Sequence, residues 1–297
     1  MRLNKLLMLF LSIFLYSTVS AGSLSYGKTV TIGYLNLKGL TAKEMRLHKF
    51  DKEILKQMTK KKGLDYFIVT GVKDRYVRRE IATGMFPYVS TVHSDSIDNY
   101  TFLLTGISVN EVRPKMFHYS KEPKVFHKSP VLFKIGRFFG IVVFDFEQNK
   151  KMVKNKNGKK TYKIVRTPTS KQMSSVEKSI NNLLARSKLT RDQIVVVGNF
   201  NASPKKVNSY LRGYIPATTE GTYITVKKNN QLRVAYGDNI FIPDVAMKNI
   251  VGKSVGTKYA NIALKKYPNL KNPYLAYGKK VARHLPVFLS IKIKYKK

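Results

Sequence analysis

Polar residues that can bind a phosphate or a metal ion stand at the ends of several apolar runs. They are Asn36, Asn199, Asn201, Asp238 and His284. Amide and carboxylate oxygens are ligands for hard cations, and a histidine can transfer protons near neutral pH. Because α/β proteins gather ligand groups at the carboxyl ends of strands, we expect these side chains to lie close together.

The apolar pattern predicts the elements that must position them. Predicted strands lie at residues 29–35, 66–69, 100–104, 131–135, 140–146, 194–197, 239–242 and 287–293. Thr41 and Glu44 form a capping box that predicts a helix running to the lysines at 60–62. A second capping box, Ser174 with Glu177, predicts another helix. Strands and helices interleave, so the sequence predicts an α/β protein.

The ordered strand ends resemble the endonuclease/exonuclease/phosphatase superfamily, particularly secreted deoxyribonuclease I and the B subunit of cytolethal distending toxin. The family motifs N, Q-E-V, R-x-P, G-D-F-N, D-x-I-F and S-D-H-x-P have counterparts in the same order. These are Asn36, Thr70-Gly71-Val72, Lys128-Ser129-Pro130, Gly198-Asn199-Phe200-Asn201, Asp238-Asn239-Ile240-Phe241 and Ala282-Arg283-His284-Leu285-Pro286. The resemblance covers residues 29–293. It implies a four-layer α/β/β/α sandwich of two mixed sheets, in one domain over residues 22–297.

Some catalytic positions of the family keep a suitable residue, and the resemblance places them at Asn36, Asn201, Asp238 and His284. In the family, a magnesium ion balances the charge on the phosphate, and such an ion needs carboxylate and water oxygens. Acid–base catalysis also needs a titratable partner that orients the histidine. The family's candidates for orienting His284 are altered here.

Other family positions have changed. The resemblance implies that Gly71 replaces a metal-binding glutamate, Asn199 the aspartate of G-D-F-N, and Arg283 the aspartate before the histidine. Asp145 is the nearest counterpart of a second catalytic histidine, which has no counterpart if the alignment shifts by one residue. Two negative charges are lost and an arginine replaces a third. We therefore expect a degenerate site that repels divalent cations, attracts phosphate and needs no metal or other cofactor.

The charge of the chain points to a polyanionic partner. Lysine and arginine number 55 against 17 acidic residues, a formal net charge of +38. Nucleic acid, anionic lipid, lipopolysaccharide and acidic glycan are all compatible with this excess. Lysines that only cover a solvated surface would also produce it.

The first residues predict export. Arg2 and Lys5 precede an apolar run at residues 6–16, and small residues end at Ala21, so residues 1–21 read as a signal peptide. The protein is then expected in the periplasm or outside the cell, without a transmembrane segment in the mature chain. The chain contains no cysteine, which excludes disulfides, thiolate metal ligands and a cysteine nucleophile.

Basic residues near the strand ends are candidate phosphate ligands: Lys38, Lys73, Arg75, Lys128 and Arg283. Residues 148–171 contain eight lysines and one arginine without apolar periodicity, which indicates a loop or a protruding hairpin. This segment could bind phosphates or could equally be only solvated. The remaining histidines, His48, His93, His118 and His127, have no spacing typical of a metal site.

The leading hypothesis is an exported pseudo-nuclease that binds nucleic acid, DNA in particular, through backbone phosphates. One alternative is an active metal-dependent endonuclease or phosphodiesterase whose site is rebuilt from Glu44, Asp74, Asp145 or Asp238. It would require Mg²⁺. Another is a module that binds anionic lipid or glycan, or a toxin-like effector.

Overall fold

A computed structural model describes residues 26–295 of the protein, apart from 48–49, 60–63, 73–75, 78, 82–87, 94–99, 106–114, 120–124, 127–128, 138, 147–148, 155–159, 166–169 and 227–230. Its strands are β1 (Tyr26–Leu40), β2 (Tyr66–Val72), β3 (Tyr88–His93), β4 (Tyr100–Thr105), β5 (Lys115–His118), β6 (Val131–Ile135), β7 (Phe139–Asp145), β8 (Asn149–Lys154), β9 (Lys160–Val165), β10 (Ile194–Asn199), β11 (Tyr214–Pro216), β12 (Tyr223–Val226), β13 (Leu232–Ala235), β14 (Asp238–Pro243), β15 (Ile250–Val255) and β16 (Val287–Tyr295). Its α-helices are α1 (Ala42–Leu47), α2 (Lys52–Thr59), α3 (Ser170–Ser187), α4 (Pro204–Asn208), α5 (Thr257–Lys266) and α6 (Pro273–Lys280). Short 3₁₀ helices occupy Arg191–Gln193, Asp244–Asn249 and Pro268–Leu270.

Two six-stranded sheets form the centre of the fold. The first has the order β15-β16-β1-β2-β4-β3, and the second has the order β11-β14-β10-β7-β6-β5. Both are mixed, because β1 pairs in parallel with β2 and β10 pairs in parallel with β7, whereas the other pairs are antiparallel. The predicted pair of mixed sheets is confirmed.

Apolar side chains fill three layers of core around these sheets. Between the sheets lie fully buried residues such as Ile32, Ile68 and Val197. A second core, which includes Leu55, packs the first sheet against α1, α2, α5 and α6. A third, which includes Ile180, packs the second sheet against α3 and α4. Helices therefore cover both outer faces, which confirms the four-layer α/β/β/α sandwich.

The predicted helix from residue 41 to 62 is wrong in extent. It divides into α1 and α2, because Asp51 interrupts it and caps the second helix. The Asp51 Oδ1 atom accepts hydrogen bonds from the backbone N–H groups of Glu53 at 3.0 Å and Ile54 at 3.4 Å. An aspartate in this role satisfies donors that the first turn of a helix leaves open.

The predicted start of the next helix at Ser174 is also wrong. Helix α3 begins at Ser170, one turn earlier, and the Ser174 hydroxyl donates to the backbone carbonyl of Lys171 at 3.0 Å. The buried Met173 extends the apolar face of the helix toward its start. Because Met173 packs into the core, the first turn is held in place, and the helix begins before the capping residues Ser174 and Glu177.

The basic segment 148–171 contains a two-stranded ribbon. Strands β8 and β9 pair with each other in antiparallel register and belong to neither large sheet. Of the two predicted alternatives, a loop or a hairpin, the structure shows the hairpin. The last two residues of the segment, Ser170 and Lys171, belong to α3.

Over the part of the chain that the structure describes, no helix is long and apolar enough to cross a membrane. The predicted signal peptide, residues 1–21, lies outside the described residues.

Asp51 connects two outer helices and generates a stability prediction. Besides capping α2, its Oδ2 atom lies 2.8 Å from both the Lys266 Nζ and the Tyr267 hydroxyl. Burial would raise the pKa of Asp51, but the hydrogen bonds from Lys266 and Tyr267 outweigh burial and lower it. The charged form therefore stabilises the fold above the unfolded pKa, and this stability is lost as the pH falls through the lower, folded pKa.

We expect Asp51→Ala to lower the free energy of unfolding by about 2–3 kcal/mol at pH 7, since a cap and charged hydrogen bonds are lost together. Asp51→Asn keeps the capping oxygen and should cost less. Urea denaturation at pH 7 and pH 3 measures both. A deficit of Asp51→Asn that is as large at pH 3 as at pH 7 would contradict this role.

Candidate phosphate-binding site at the strand ends

Three strands of the second sheet bring polar side chains together at one edge. The register pairs Asn199 of β10 with Asp145 of β7 on one side and with Asp238 of β14 on the other. Two residues further into the strands, Val197 and Ile240 face the core between the sheets. Because side chains alternate along a strand, Asp145, Asn199 and Asp238 point toward the first sheet.

Asp238 and His284 form a buried acid–base pair. The Nδ1 atom of His284 lies 2.6 Å from the Oδ2 atom of Asp238, and both side chains are at most 2% exposed. Burial raises the pKa of Asp238 above its ordinary value, although the interaction with His284 opposes the rise. Thr222 fixes the same strand end, because its hydroxyl accepts from the Asp238 backbone N–H at 2.8 Å. His284 therefore has an orienting partner, Asp238, although the family's usual candidates for that role are altered.

Amides surround the second carboxylate of the site. The Asp145 Oδ1 atom accepts from the Asn36 amide at 3.3 Å and from the Asn199 amide at 3.5 Å. The amides of Asn199 and Asn201 also donate to the backbone carbonyl of Phe146. These contacts join β1 of the first sheet to β7 and β10 of the second. Asn36 thus links the first sheet to the second, whereas Asn199 and Asn201 tie the ends of β7 and β10 to each other.

Two buried oxygens at this edge have no hydrogen-bond partner among the described residues: Asp238 Oδ1 and Asn199 Oδ1. The orientation of the Asn199 amide follows from its surroundings, because Asp145 and the Phe146 carbonyl both accept from its nitrogen. Buried polar atoms are normally satisfied by protein, water or ligand. These oxygens are therefore open to a bound water or to a donor group of a ligand.

Tyr223 and Lys38 cover the imidazole of His284. The Tyr223 ring lies 4.6 Å from the His284 ring, centroid to centroid. The Lys38 ammonium lies 4.2 Å from the centre of the Tyr223 ring and donates to the Tyr223 hydroxyl. Lys38 adopts a left-handed backbone with φ of +49°, and its N–H donates to Asn36 Oδ1 at 2.6 Å. As a result, His284 is only 1% exposed.

Beneath the site, the Tyr34 side chain of β1 lies in the core between the sheets. Its hydroxyl is hydrogen-bonded to the Thr70 hydroxyl at 2.8 Å. Burial raises the pKa of Tyr34 well above its usual value, and the nearby Asp238 and Asp145 carboxylates add to the rise. The Tyr34 hydroxyl therefore stays protonated beneath the two carboxylates. The sequence contains a weak signal for it, since Tyr34 precedes Asn36 by two residues and so shares its face of β1.

The structure shows the surroundings of two of the changed family positions, Gly71 and Arg283. Gly71 is buried at the end of β2 with φ of +74°, a conformation that a residue with a side chain adopts only under strain. The pairing of β2 with β4 shifts register at this point. Arg283 is exposed beside the covered His284. Gly71 and Arg283 thus add no carboxylate.

The described part of the structure places none of the other sequence candidates in the site. Lys73, Asp74, Arg75 and Lys128 lie outside them, as do His48 and His127, and the side chains of Glu44 and His93 are likewise outside the description. His118 is half-buried on β5, the edge strand of the second sheet.

The donors present do not fit a magnesium ion. Such an ion prefers about six oxygen ligands in octahedral geometry, with carboxylates among them. Between them, the unpartnered oxygens of Asp238 and Asn199 supply one carboxylate, and Asp145 stands on the far side of β10. Among the described residues, no group of three or more histidine, aspartate or glutamate side chains is placed to hold a metal ion.

The cover over His284 predicts slow chemical modification. Diethyl pyrocarbonate should acylate His284 more slowly than the half-buried His118, because Tyr223 blocks access. We expect Tyr223→Ala to raise the rate at His284 by about tenfold or more, which corresponds to about 1.4 kcal/mol of lost protection. Tyr223→Phe, which keeps the ring, is the matched control. Mass spectrometry measures each site, and rapid acylation of His284 in the unmodified protein would contradict the cover.

No protein-family model matches the chain, and no curated protein matches it. Solved structures do. A truncated TDP2 from Caenorhabditis elegans is 12% identical with a TM-score of 0.56, covering 89% of this chain and 98% of that one. An endonuclease/exonuclease/phosphatase family protein from Bacteroides thetaiotaomicron is 11% identical with a TM-score of 0.54, covering 90% and 96%. The endonuclease domain of the retrotransposon TRAS1 is 11% identical with a TM-score of 0.51, covering 88% and 98%. The chain therefore has the fold of the endonuclease/exonuclease/phosphatase superfamily.

Proposed function

We propose that this protein binds nucleic acid through backbone phosphates at the strand-end site, without metal-dependent hydrolysis. One observation carries the proposal: one oxygen of each carboxylate in the site already pairs with a protein group and His284 is covered, whereas Arg283 beside them is exposed. The interior of the site is not cationic, since it contains Asp145 and Asp238. The positive charge lies at its mouth.

The cations that contact the site residues or lie close to them in sequence come from separate elements. Arg283 is exposed immediately before His284, and Lys38 lies half-buried above Tyr223. Lys205 and Lys206 are exposed on α4, which begins three residues after Asn201. With a net charge of +38, the whole chain attracts a polyanion over long range. Phosphate contacts of this kind position a nucleic acid without reading its sequence.

Fold neighbours favour nucleic acid over the other polyanions. A solved structure of D. rerio TDP2, 12% identical with a TM-score of 0.55, contains a single-stranded DNA product. The 3′ phosphatase NExo from Neisseria, 12% identical with a TM-score of 0.50, is bound to a product DNA hairpin. By contrast, none of the contacts in the described site is particular to a lipid headgroup or a glycan.

Loss of hydrolysis follows from the donor set and the cover. Without the ligands that a divalent ion needs, the developing charge of a phosphate transition state lacks its usual stabilisation. His284 would also have to be uncovered before it could exchange a proton with a substrate. The N-terminal sequence supports an exported protein that meets nucleic acid in the periplasm or outside the cell.

Binding should depend steeply on salt, because phosphate contacts release counterions. We expect the affinity of the mature chain for fluorescent DNA to fall as salt rises. Arg283→Gln should weaken binding and reduce the slope of log K against log salt by about one. Lys265→Gln, which removes an exposed charge from α5, is the control. Affinity that is indifferent to salt would refute the proposal.

The second candidate is a metal-dependent nuclease, and the intact Asp238–His284 pair favours it. It predicts nicking of plasmid DNA that EDTA abolishes and that either Asp238→Ala or His284→Ala removes. We expect no nicking by the mature protein at high molar excess with Mg²⁺ or Mn²⁺. Nicking that survives purification but disappears in His284→Ala would establish the enzyme instead.

A further inference from the structure

Three exposed apolar side chains lie close together at one edge of the first sheet. Val245 and Met247 belong to the 3₁₀ helix Asp244–Asn249, and Val251 belongs to β15, the edge strand into which this helix leads. Their exposed fractions are 65%, 58% and 56%, the highest for large apolar side chains in the described part of the chain. A 3₁₀ helix rises about 2.0 Å per residue and a strand about 3.3 Å, so the three lie within about 15 Å of chain. We call these three residues the apolar patch.

The inner face of the 3₁₀ helix is already packed against the protein. Ala246 is buried in the core between the sheets, and Ile250, just after the helix, packs against the same core. Because a 3₁₀ helix has three residues per turn, the half-buried Asn249 shares the face of Ala246. Val245 and Met247 lie on the other faces and cannot turn inward while Ala246 is packed there.

Backbone hydrogen bonds fix both ends of this helix. The Asp244 N–H donates to the Gly213 carbonyl at 3.0 Å, and the Ile250 N–H donates to the Met247 carbonyl. The apolar patch is therefore a constant part of the surface and not a frayed end. Single exposed apolar residues are ordinary, but several together mark a surface that binds a partner.

Positive charge borders the apolar patch. Lys248 and Lys253 are exposed within it or beside it, and the exposed Arg212 precedes Gly213, which is bonded to the helix. Asp244 is the last acidic residue of the sequence, since residues 245–297 contain no aspartate or glutamate. The partner of this surface is therefore anionic. A second copy of the chain, with its net charge of +38, would be repelled.

The combination of aliphatic side chains and cations fits an anionic lipid bilayer. A bilayer offers hydrocarbon to the apolar side chains and anionic headgroups to the lysines around them. Nucleic acid offers the charge without an apolar layer. Protein interfaces depend chiefly on tryptophan, tyrosine and arginine, with valine under-represented, and none of the three patch residues is aromatic. Stable binding to a membrane takes two such signals together.

The apolar patch stands at the opposite end of β14 from the strand-end site. Strand β14 begins at Asp238, in that site, and ends at Pro243, directly before the 3₁₀ helix. Five steps of about 3.3 Å separate these two residues by about 17 Å. A ligand at one end therefore leaves the other end accessible.

We infer that the apolar patch, with Arg212, Lys248 and Lys253 around it, is a surface that binds anionic lipid bilayers independently of the strand-end site. Val245, Met247 and Val251 enter the outer hydrocarbon, and the cations contact the headgroups. The partner is new to this protein, and membrane binding by the patch does not depend on the proposed function. If both hold, the protein brings nucleic acid to an anionic membrane surface.

The decisive variant changes no charge, because charge alone attracts this protein to an anionic vesicle. It replaces Val245, Met247 and Val251 with serine. The matched control replaces three exposed apolar residues on other elements with serine: Tyr76, Met116 and Val234. Binding to vesicles of phosphatidylcholine with and without phosphatidylglycerol is measured by co-sedimentation, and binding to fluorescent DNA is measured alongside.

We expect the patch variant to bind phosphatidylglycerol vesicles at least about tenfold more weakly than the unaltered protein, because apolar area is no longer buried. The control should keep vesicle affinity, and the patch variant should keep DNA affinity. Replacing Arg212, Lys248 and Lys253 with glutamine should also weaken vesicle binding, and more than the same change at Lys115, Lys171 and Lys265, which are exposed elsewhere.

A second measurement reports insertion without removing the patch. The chain contains no cysteine, so Met247→Cys carries a single environment-sensitive fluorophore. Its emission should shift to the blue on phosphatidylglycerol vesicles, whereas the same label at Met116→Cys should not shift. This readout remains available if the triple serine variant fails to fold.

Each contrary outcome identifies a different error. Equal vesicle binding by the patch variant and its control, or no shift at residue 247, would refute membrane insertion. A dimer of the unaltered protein that the patch variant loses would show that the patch binds a second copy instead, and a loss of DNA affinity would show that it binds nucleic acid. Failure of the unaltered protein to bind DNA would refute the proposed function and leave the membrane surface standing.

Discussion

The contact between Asp238 and His284 is the constraint on which the site depends. Both side chains are buried, and removing one partner would leave the other with an unmet polar group in a region almost free of water. Keeping the pair holds the start of β14 against the segment that leads into β16, one strand from each sheet. The isolated bridge between Tyr223 and His284 then places the Tyr223 ring over the imidazole.

The remaining polar groups of the site follow the same pattern, in which other protein groups pair with the carboxylates. Asp145 is held by amides from both sheets. The Lys38 ammonium lies above the Tyr223 ring, and its positive charge makes a small contribution that lowers the pKa of Asp238. The fold gathers polar side chains at this edge, and the charges there are balanced by hydrogen bonds and one ammonium group. This balance is the reason for our proposal that the site holds an anion at its surface and no cation inside.

The sequence predicts those parts of the fold that come from local pattern. Strand β6 is predicted with its observed bounds, Val131–Ile135, because it is a short apolar run between turn residues. Helices α5 and α6 are not predicted, since their buried faces consist of small residues and tyrosines such as Ala260, Ala263 and Tyr277, which carry little periodic signal. The strand-end residues are foreseen as a group. The Lys38–Tyr223 cover is not, because Tyr223 meets His284 across 61 positions of sequence through one isolated bridge.

Metal binding is the measurement that tests this balance of charge most directly. Titration of the mature protein with Mn²⁺, followed by electron paramagnetic resonance of the free ion, should show no saturable site, and EDTA should not weaken the binding of DNA. One tightly bound ion per chain that is lost in Asp145→Ala or Asp238→Ala would contradict the account, because it would show that the carboxylates are available to a cation after all.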